Sequence, residues 1–196
     1  MPRRSQQERT ETTRAKLIDA ARGLFAEHGF SGVAAERITA AAGVTRGALV
    51  HHFSDKTGLF RAVFEAIEVE ITSELREAFE ALGDRDPVTH LVAAFLDVCA
   101  RREVVQVALT DAPAVLGWQA WREIESRHGL GLLTEISSVL PPVTDGIVPA
   151  PVLAQLTLSC LIEAALLVAH ATDPAAARRE AEASLHALLH GVTQER

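Results

Sequence analysis

Tyrosine is absent from the 196-residue chain, and cysteine occurs only twice. Cys99 and Cys160 each stand in an apolar, helix-like stretch. They read as small buried hydrophobes, not as a disulfide pair or a metal framework. The chain has no glycine-rich phosphate loop, no nucleophile elbow and no Cys/His pair at useful spacing, which argues against an enzyme. His186 and His190 share a helical face, but Ala187-Leu188-Leu189 between them lacks the glutamate of a zinc-protease motif. The longest apolar stretch, Leu153 to Ala171, is interrupted by Gln155, Glu163 and His170. It falls short of the roughly 18 clean residues of a membrane span. The start Met1-Pro2-Arg3-Arg4-Ser5 stays polar and offers no secretory apolar region, so a cytoplasmic location is expected. Alternating strand patterns and internal repeats are also missing, which leaves helices.

Hydrophobic residues make up 48% of the chain, enough to build a packed core. The net charge of -7 is unevenly spread. Residues 1–60 carry nine Lys/Arg and six Asp/Glu, whereas residues 61–196 carry ten and twenty. A basic head on an acidic body lets the head approach phosphate while the body stays away from it. The periodicity predicts a first helix from Thr10 to His28, with Leu17, Ala21, Leu24 and Phe25 on one face. Short helices are expected at Ala35–Ala42 and Arg46–Phe53. A long one opens at Ser54-Asp55 and keeps Leu59, Phe60, Val63, Phe64, Ile67, Ile71, Leu75 and Phe79 in phase to Leu82. After Gly83, the pairs Asp86-Pro87, Asp111-Ala112-Pro113 and Asp173-Pro174 read as cap-and-proline helix starts. The body helices are expected at 87–102, 103–110, 118–140 with a bend near Gly129 and Gly131, 152–171 and 175–191. A proline-rich loop, Pro141 to Pro151, precedes the last two.

Residues 35–53 carry the functional signal. Two short helices joined by the turn Ala42-Gly43-Val44 fit a helix-turn-helix. In the second helix Leu49 and Phe53 are four apart and should face the core. Arg46, Gly47, Val50 and His51 then lie on the outer side, where such a helix meets the major groove. Arg46 can donate two bonds to a guanine, and Gly47 and Ala48 keep the helix slim. Thr45 with the first helical N–H groups suits a phosphate, as does Lys56 at the start of the next helix. Arg37 and His52 complete the expected contacts to double-stranded operator DNA.

The stretch Thr13 to Phe64 resembles the DNA-binding domain of the tetracycline-repressor (TetR) family. The residues that carry the resemblance are Ile18, Ala21, Leu24-Phe25, Gly29-Phe30, Ile38, Ala42-Gly43-Val44-Thr45-Arg46-Gly47-Ala48-Leu49, His52-Phe53, Lys56 and Leu59-Phe60. Two departures stand out. Val50 occupies the family's usual Tyr position, and Val33-Ala34 stands where Thr or Ser is favoured. Each lost hydroxyl is worth about 1 kcal/mol of phosphate binding or capping. The basic arm up to Arg9 could compensate by reaching an adjacent groove, or it is simply a frayed terminus.

The resemblance implies an all-α protein. An N-terminal three-helix helix-turn-helix domain (residues 11–55, after a basic arm 1–10) would join through a connecting helix (56–82) to a C-terminal ligand-binding and dimerisation domain (83–196). The nearly all-apolar helix from Leu153 to Val168 and the face Ala181, Leu185, Leu188, Leu189 and Val192 independently suggest a homodimer through the last two helices. A pocket is expected around Phe95, Cys99, Trp118, Trp121 and Arg122, with Asp111, His128 and Glu163 as polar partners. That mixture suits a small apolar or amphipathic effector. The expected function is a ligand-released transcriptional repressor. The alternative is a DNA-binding regulator whose body only dimerises or docks another protein.

Overall fold

The computed structural model describes residues 6–139 and 150–194, and among these it is helical without strands. The helices are α1 (Gln6–His28), α2 (Ala35–Ala42), α3 (Arg46–Phe53), α4 (Lys56–Glu80), α5 (Pro87–Cys99), α6 (Ala112–Leu116), α7 (Trp118–Glu125), α8 (Gly131–Val139), α9 (Ala150–Ala169) and α10 (Pro174–Gln194). Two π-helical segments, Val104–Asp111 and Ser126–Leu130, stand before α6 and after α7. The first five residues of the expected arm and most of the proline-rich loop lie outside the described residues. The bend foreseen near Gly129 is the second π-helical segment. Where α9 was expected to be too interrupted, Pro151–Ala169 is by length and composition apolar enough to cross a membrane, with mean hydropathy 2.0.

The chain forms two compact units. A head unit comprises Met1–Ile67 with Arg102–Trp121, and a body unit comprises Glu68–Arg101 with Arg122–Arg196. The head therefore takes in the start of α4 and a later segment that sequence spacing assigned to the body.

In the head, Leu17, Ala21 and Phe25 of α1, Ile38 of α2, Leu49 and Phe53 of α3, and Leu59, Phe60, Val63 and Phe64 of α4 are all buried. Phe25, Phe30 and Phe60 meet with ring centroids 5.2–5.8 Å apart, two of the pairs edge-on. Burial of each such side chain contributes roughly 1.5–3 kcal/mol. Gly43 ends α2 at φ 66°, and its N–H reaches back to the Ala40 carbonyl. A side chain at that angle would be strained, so glycine permits the tight reversal into α3. Thr45 caps α3 by accepting the Ala48 N–H at 3.3 Å, whereas Ala34 gives α2 no side-chain cap.

Segment 102–111 is tied to the head by polar contacts. Arg22 donates twice to Glu103, at 2.7 Å each. Arg102 donates to the Glu27 carbonyl at 3.0 Å. Asp111 was expected to cap α6, but it makes no cap bond there. Its carboxylate instead accepts the Phe30 N–H at 2.7 Å. Lys56 works on the same loop. Its ammonium donates to the carbonyls of Phe30 (3.0 Å) and Val33 (2.9 Å) and lies 3.9 Å from the Phe30 ring centroid.

In the body, α5 packs on α10 and α9, and α9 packs on α8 and α10. Asp86 caps α5 through the Thr89 N–H at 2.8 Å. Asp173 does the same for α10 through Ala176 at 3.0 Å. Val92, Phe95, Leu96, Ile124, Leu132, Leu158, Leu161 and Leu185 fill the core. Arg178 of α10 clasps Asp97 of α5 at 2.6 Å and Glu182 at 2.8 Å. Cys99 is buried as expected, but Cys160 is exposed, a correction to the sequence reading. It sits on a side of α9 that a single chain leaves uncovered.

The body core also holds acid. Burial, then the charge of Glu125, pushes Glu68 from its ordinary 4.5 to about 7. Burial also raises Glu125, against the lowering pull of its bond to Arg122.

Two outcomes follow from this packing. Lys56→Met should lower folding stability by about 1–3 kcal/mol in urea denaturation, because two loop carbonyls lose their donor. It should leave the salt slope of DNA binding nearly unchanged, whereas loss of a true phosphate contact would reduce that slope by about one. For Glu68, the folded chain holds the proton more tightly than the unfolded chain. Its contribution is intact below about 4.5 and lost as pH rises through about 7. Glu68→Gln should therefore gain on the order of 1–2 kcal/mol over wild type at about pH 8, with the gain fading towards pH 4. Parallel stability profiles would contradict this.

Candidate nucleic-acid interface and inner polar site

The helix α3 presents one edge to the core and the other to solvent. Leu49 and Phe53 hold the inner edge. Arg46, Gly47, Val50 and His51 are exposed on the outer edge, and Ala48 is half-buried. Nothing crowds Gly47, since a Cβ there would meet only the Thr45 hydroxyl at 3.7 Å. Small residues at the start of the helix therefore leave its backbone approachable.

The cations near this edge are pre-engaged to different degrees. Arg46 pairs with Glu36 of α2 at 2.8 Å, but its side chain is 73% exposed. An exposed pair of this kind is worth at most about 1 kcal/mol, so a guanine or phosphate can take the guanidinium over. Arg37 lies 2.8 Å from the His28 ring nitrogen and is exposed. His51 and His52 meet edge-on at 5.1 Å. Partial burial, then His51 and Arg14, hold His52 below its ordinary 6.5. The His52 imidazole is therefore neutral at pH 7 and reads as a hydrogen-bonding group, not a phosphate counter-charge. Arg14 spreads over the Phe53 ring at 5.4 Å. Lys56 is half-buried on its two carbonyls, which commits most of its donors within the head. The Thr45 hydroxyl is likewise occupied by its cap.

The residues expected to form a pocket are divided between the units, with Asp111, Trp118 and Trp121 in the head and Phe95, Cys99, Arg122, His128 and Glu163 in the body. Asp111 is spent on Phe30. Trp118 and Trp121 do share a face, with ring centroids 5.1 Å apart, but Trp118 is 64% exposed and Trp121 is buried. Glu163 faces outward on α9. Phe95 and Cys99 are buried in the body unit, to which Arg122 also belongs.

Arg122 leads to a group the sequence reading missed. It bonds the Glu125 carboxylate and donates to the Ser159 hydroxyl at 3.2 Å. Ser159 in turn donates to the Gln155 carbonyl at 2.9 Å. Glu125 Oε1 and Gln155 Nε2 are buried with no hydrogen-bond partner among the described residues. The charge of Glu68 acts on the buried Cys99 thiol, which burial first and Glu68 second push up to about 12. The signal was present in the sequence. Glu68 falls in helical phase with Phe64 and Ile71, and Glu125 with Trp121 and Leu132, so both carboxylates sit on apolar stripes.

The comparisons with known proteins fit this geometry. Residues 17–63 match the family described as bacterial regulatory proteins, tetR family. Residues 86–192 match the tetracyclin repressor-like C-terminal domain. The chain is 42% identical over 86 residues to the HTH-type transcriptional regulator CymR of Pseudomonas putida, covering 44% of this chain and 42% of that one. It is 41% identical over 91 residues to AcrR of Shigella flexneri, covering 46% of this chain and 41% of that one. The matched part is thus about two fifths of the length of these curated relatives. A TetR-family transcriptional regulator from Pectobacterium atrosepticum superposes with TM-score 0.77 at 30% identity, covering 98% of this chain and 99% of that one. RolR in complex with resorcinol shares the fold, with TM-score 0.66 at 20% identity over 97% of both chains. A recognition helix exposed on its outer edge, family matches over both halves and full-length structural agreement make this chain a member of the TetR family of bacterial transcriptional regulators, which are typically DNA-binding repressors.

Proposed function

We propose that the chain is a sequence-specific repressor that acts as a homodimer in the cytoplasm and leaves its operator when a small molecule binds the body. The observation that carries the DNA reading is the outer edge of α3. Arg46, Gly47, Val50 and His51 are exposed together behind a capped, approachable helix start. Arg46 takes the base contact, and Arg37 and the first N–H groups of α3 take phosphates. Lys56 and Thr45 hold the loop and helix in position.

The dimer reading is supported by apolar side chains left outside on the last two helices. Leu156 and Leu167 of α9 and Leu188 of α10 are 58%, 61% and 58% exposed. A second copy of the same face would cover them. The effector reading is supported by the unsatisfied polar atoms inside the body, and a protein of the same fold carries resorcinol. Because α4 runs unbroken from Lys56 to Glu80 and contributes to both units, a ligand that favours one setting of this helix shifts the DNA-binding equilibrium.

The test is fluorescence anisotropy with labelled DNA from upstream of the gene, set against unrelated DNA at one physiological salt concentration. Wild type should select the upstream DNA. Arg46→Ala should lose on the order of 5- to 100-fold there, with little change on unrelated DNA. Equal weak binding to every DNA would refute the reading.

A further inference from the structure

The body unit carries a polar arrangement that neither DNA binding nor dimerisation uses. Glu125 is 4% exposed, and only one of its carboxylate oxygens has a partner. The other, Oε1, is buried without a hydrogen bond among the described residues. The side-chain nitrogen of Gln155 is buried in the same condition. A chain of contacts runs from Glu125 to Arg122, from Arg122 to the Ser159 hydroxyl, and from Ser159 to the backbone carbonyl of Gln155. Glu68 of α4 stands close enough to feel the charge of Glu125 and to act on Cys99. A buried acceptor left unmade costs free energy that folding alone does not recover, so a bound group that completes it is stabilised by that amount.

The charges choose the group. Two carboxyl groups, Glu68 and Glu125, lie within electrostatic reach of each other, and the Arg122 guanidinium pairs with Glu125. Arg101 acts on Cys99 but pairs with Glu74 at 2.6 Å. The Cys99 thiol stays neutral, so it adds no charge. An anionic ligand would add negative charge beside the Glu125 carboxylate and would hold the Glu68 proton still more tightly. A purely apolar one would leave Glu125 Oε1 orphaned. A protonated amine offers several donors and a positive charge, and the amide of Gln155 can turn to present its oxygen. Phe95, one turn before Cys99, and Leu158, one residue before Ser159, are buried apolar side chains of the same unit.

We propose that this site takes a small organic cation, a primary amine on an apolar body, with its ammonium group between Glu125 and Glu68. The proposal rests on the effector reading above and names the chemistry of that site. Glu68 keeps its proton up to about 7. An entering ammonium group favours the carboxylate, so amine uptake releases the Glu68 proton to solvent.

The experiment uses the full chain and matched probes on hexyl, phenylethyl and indolylethyl skeletons, each as amine, alcohol and carboxylate. Thermal shift ranks them. Calorimetry near pH 6 in two buffers of different ionisation heat counts protons. At least one amine should raise the melting temperature and bind at least about tenfold more tightly than its alcohol and carboxylate counterparts. It should release up to one proton per amine. Glu68→Gln and Glu125→Gln should each weaken it at least about tenfold, and the exposed Glu123→Gln on the same helix should not. Glu68→Gln keeps the test decisive if loss of the Glu125 charge prevents folding. Failure of every amine, equal binding of an alcohol or carboxylate, or indifference to Glu68→Gln would overturn the proposal. An amine that binds as described yet leaves operator-bound anisotropy unchanged would uphold the site and refute the effector reading instead.

Discussion

The proposed DNA-facing surface depends on the seating of the inner edge of α3. Leu49 and Phe53 enter a head core built on Phe25 and Phe60, and that fixes which side of an eight-residue helix looks outward. A helix this short has little stability of its own. Its direction comes from this contact, from the Gly43 turn in front and from the Thr45 cap. The loop between α1 and α2 is held just as firmly. Lys56 binds it through two carbonyls, and Asp111 binds it through the Phe30 N–H. The recognition edge can then be made of small and weakly engaged groups because the other edge does the holding.

The two units use polar groups in opposite ways. In the head, no fully buried side-chain polar atom among the described residues lacks a hydrogen-bond partner, and the half-buried Arg22–Glu103 pair and Lys56 staple are satisfied too. In the body, Glu125 and Gln155 hold buried atoms with no hydrogen-bond partner among the described residues, and Glu68 is held far above its usual range. Proteins accept such costs at functional sites, where a ligand removes them. This contrast is what turns a helical body into a candidate sensor, and the proposed coupling runs through helices to which both units contribute.

Much of this was legible in the sequence. Helix positions followed from the 3.6-residue period and from the Asp86-Pro87 and Asp173-Pro174 starts. Leu49 and Phe53 were placed inward by spacing alone. Three kinds of information were not legible. Asp111 looked like a local cap because a cap is the commonest use of Asp before a helix, and its real partner, Phe30, is 81 residues away. Lys56 looked free for phosphate because its two carbonyl partners carry no side-chain signal. Glu163 drew notice for interrupting an apolar run, yet it faces outward, while Glu125 is buried and Glu68 half-buried. Helical phase, not interruption, distinguishes the two cases.

The central claim is that α3 reads DNA as one of a symmetric pair. Hydroxyl-radical footprinting of the upstream DNA tests it most directly. The account predicts two protected half-sites of related, inverted sequence, with centres about one helical turn or a small multiple of it apart. Arg46→Ala should lose both together. A single asymmetric protected stretch, or a footprint that survives Arg46→Ala unchanged, would contradict it.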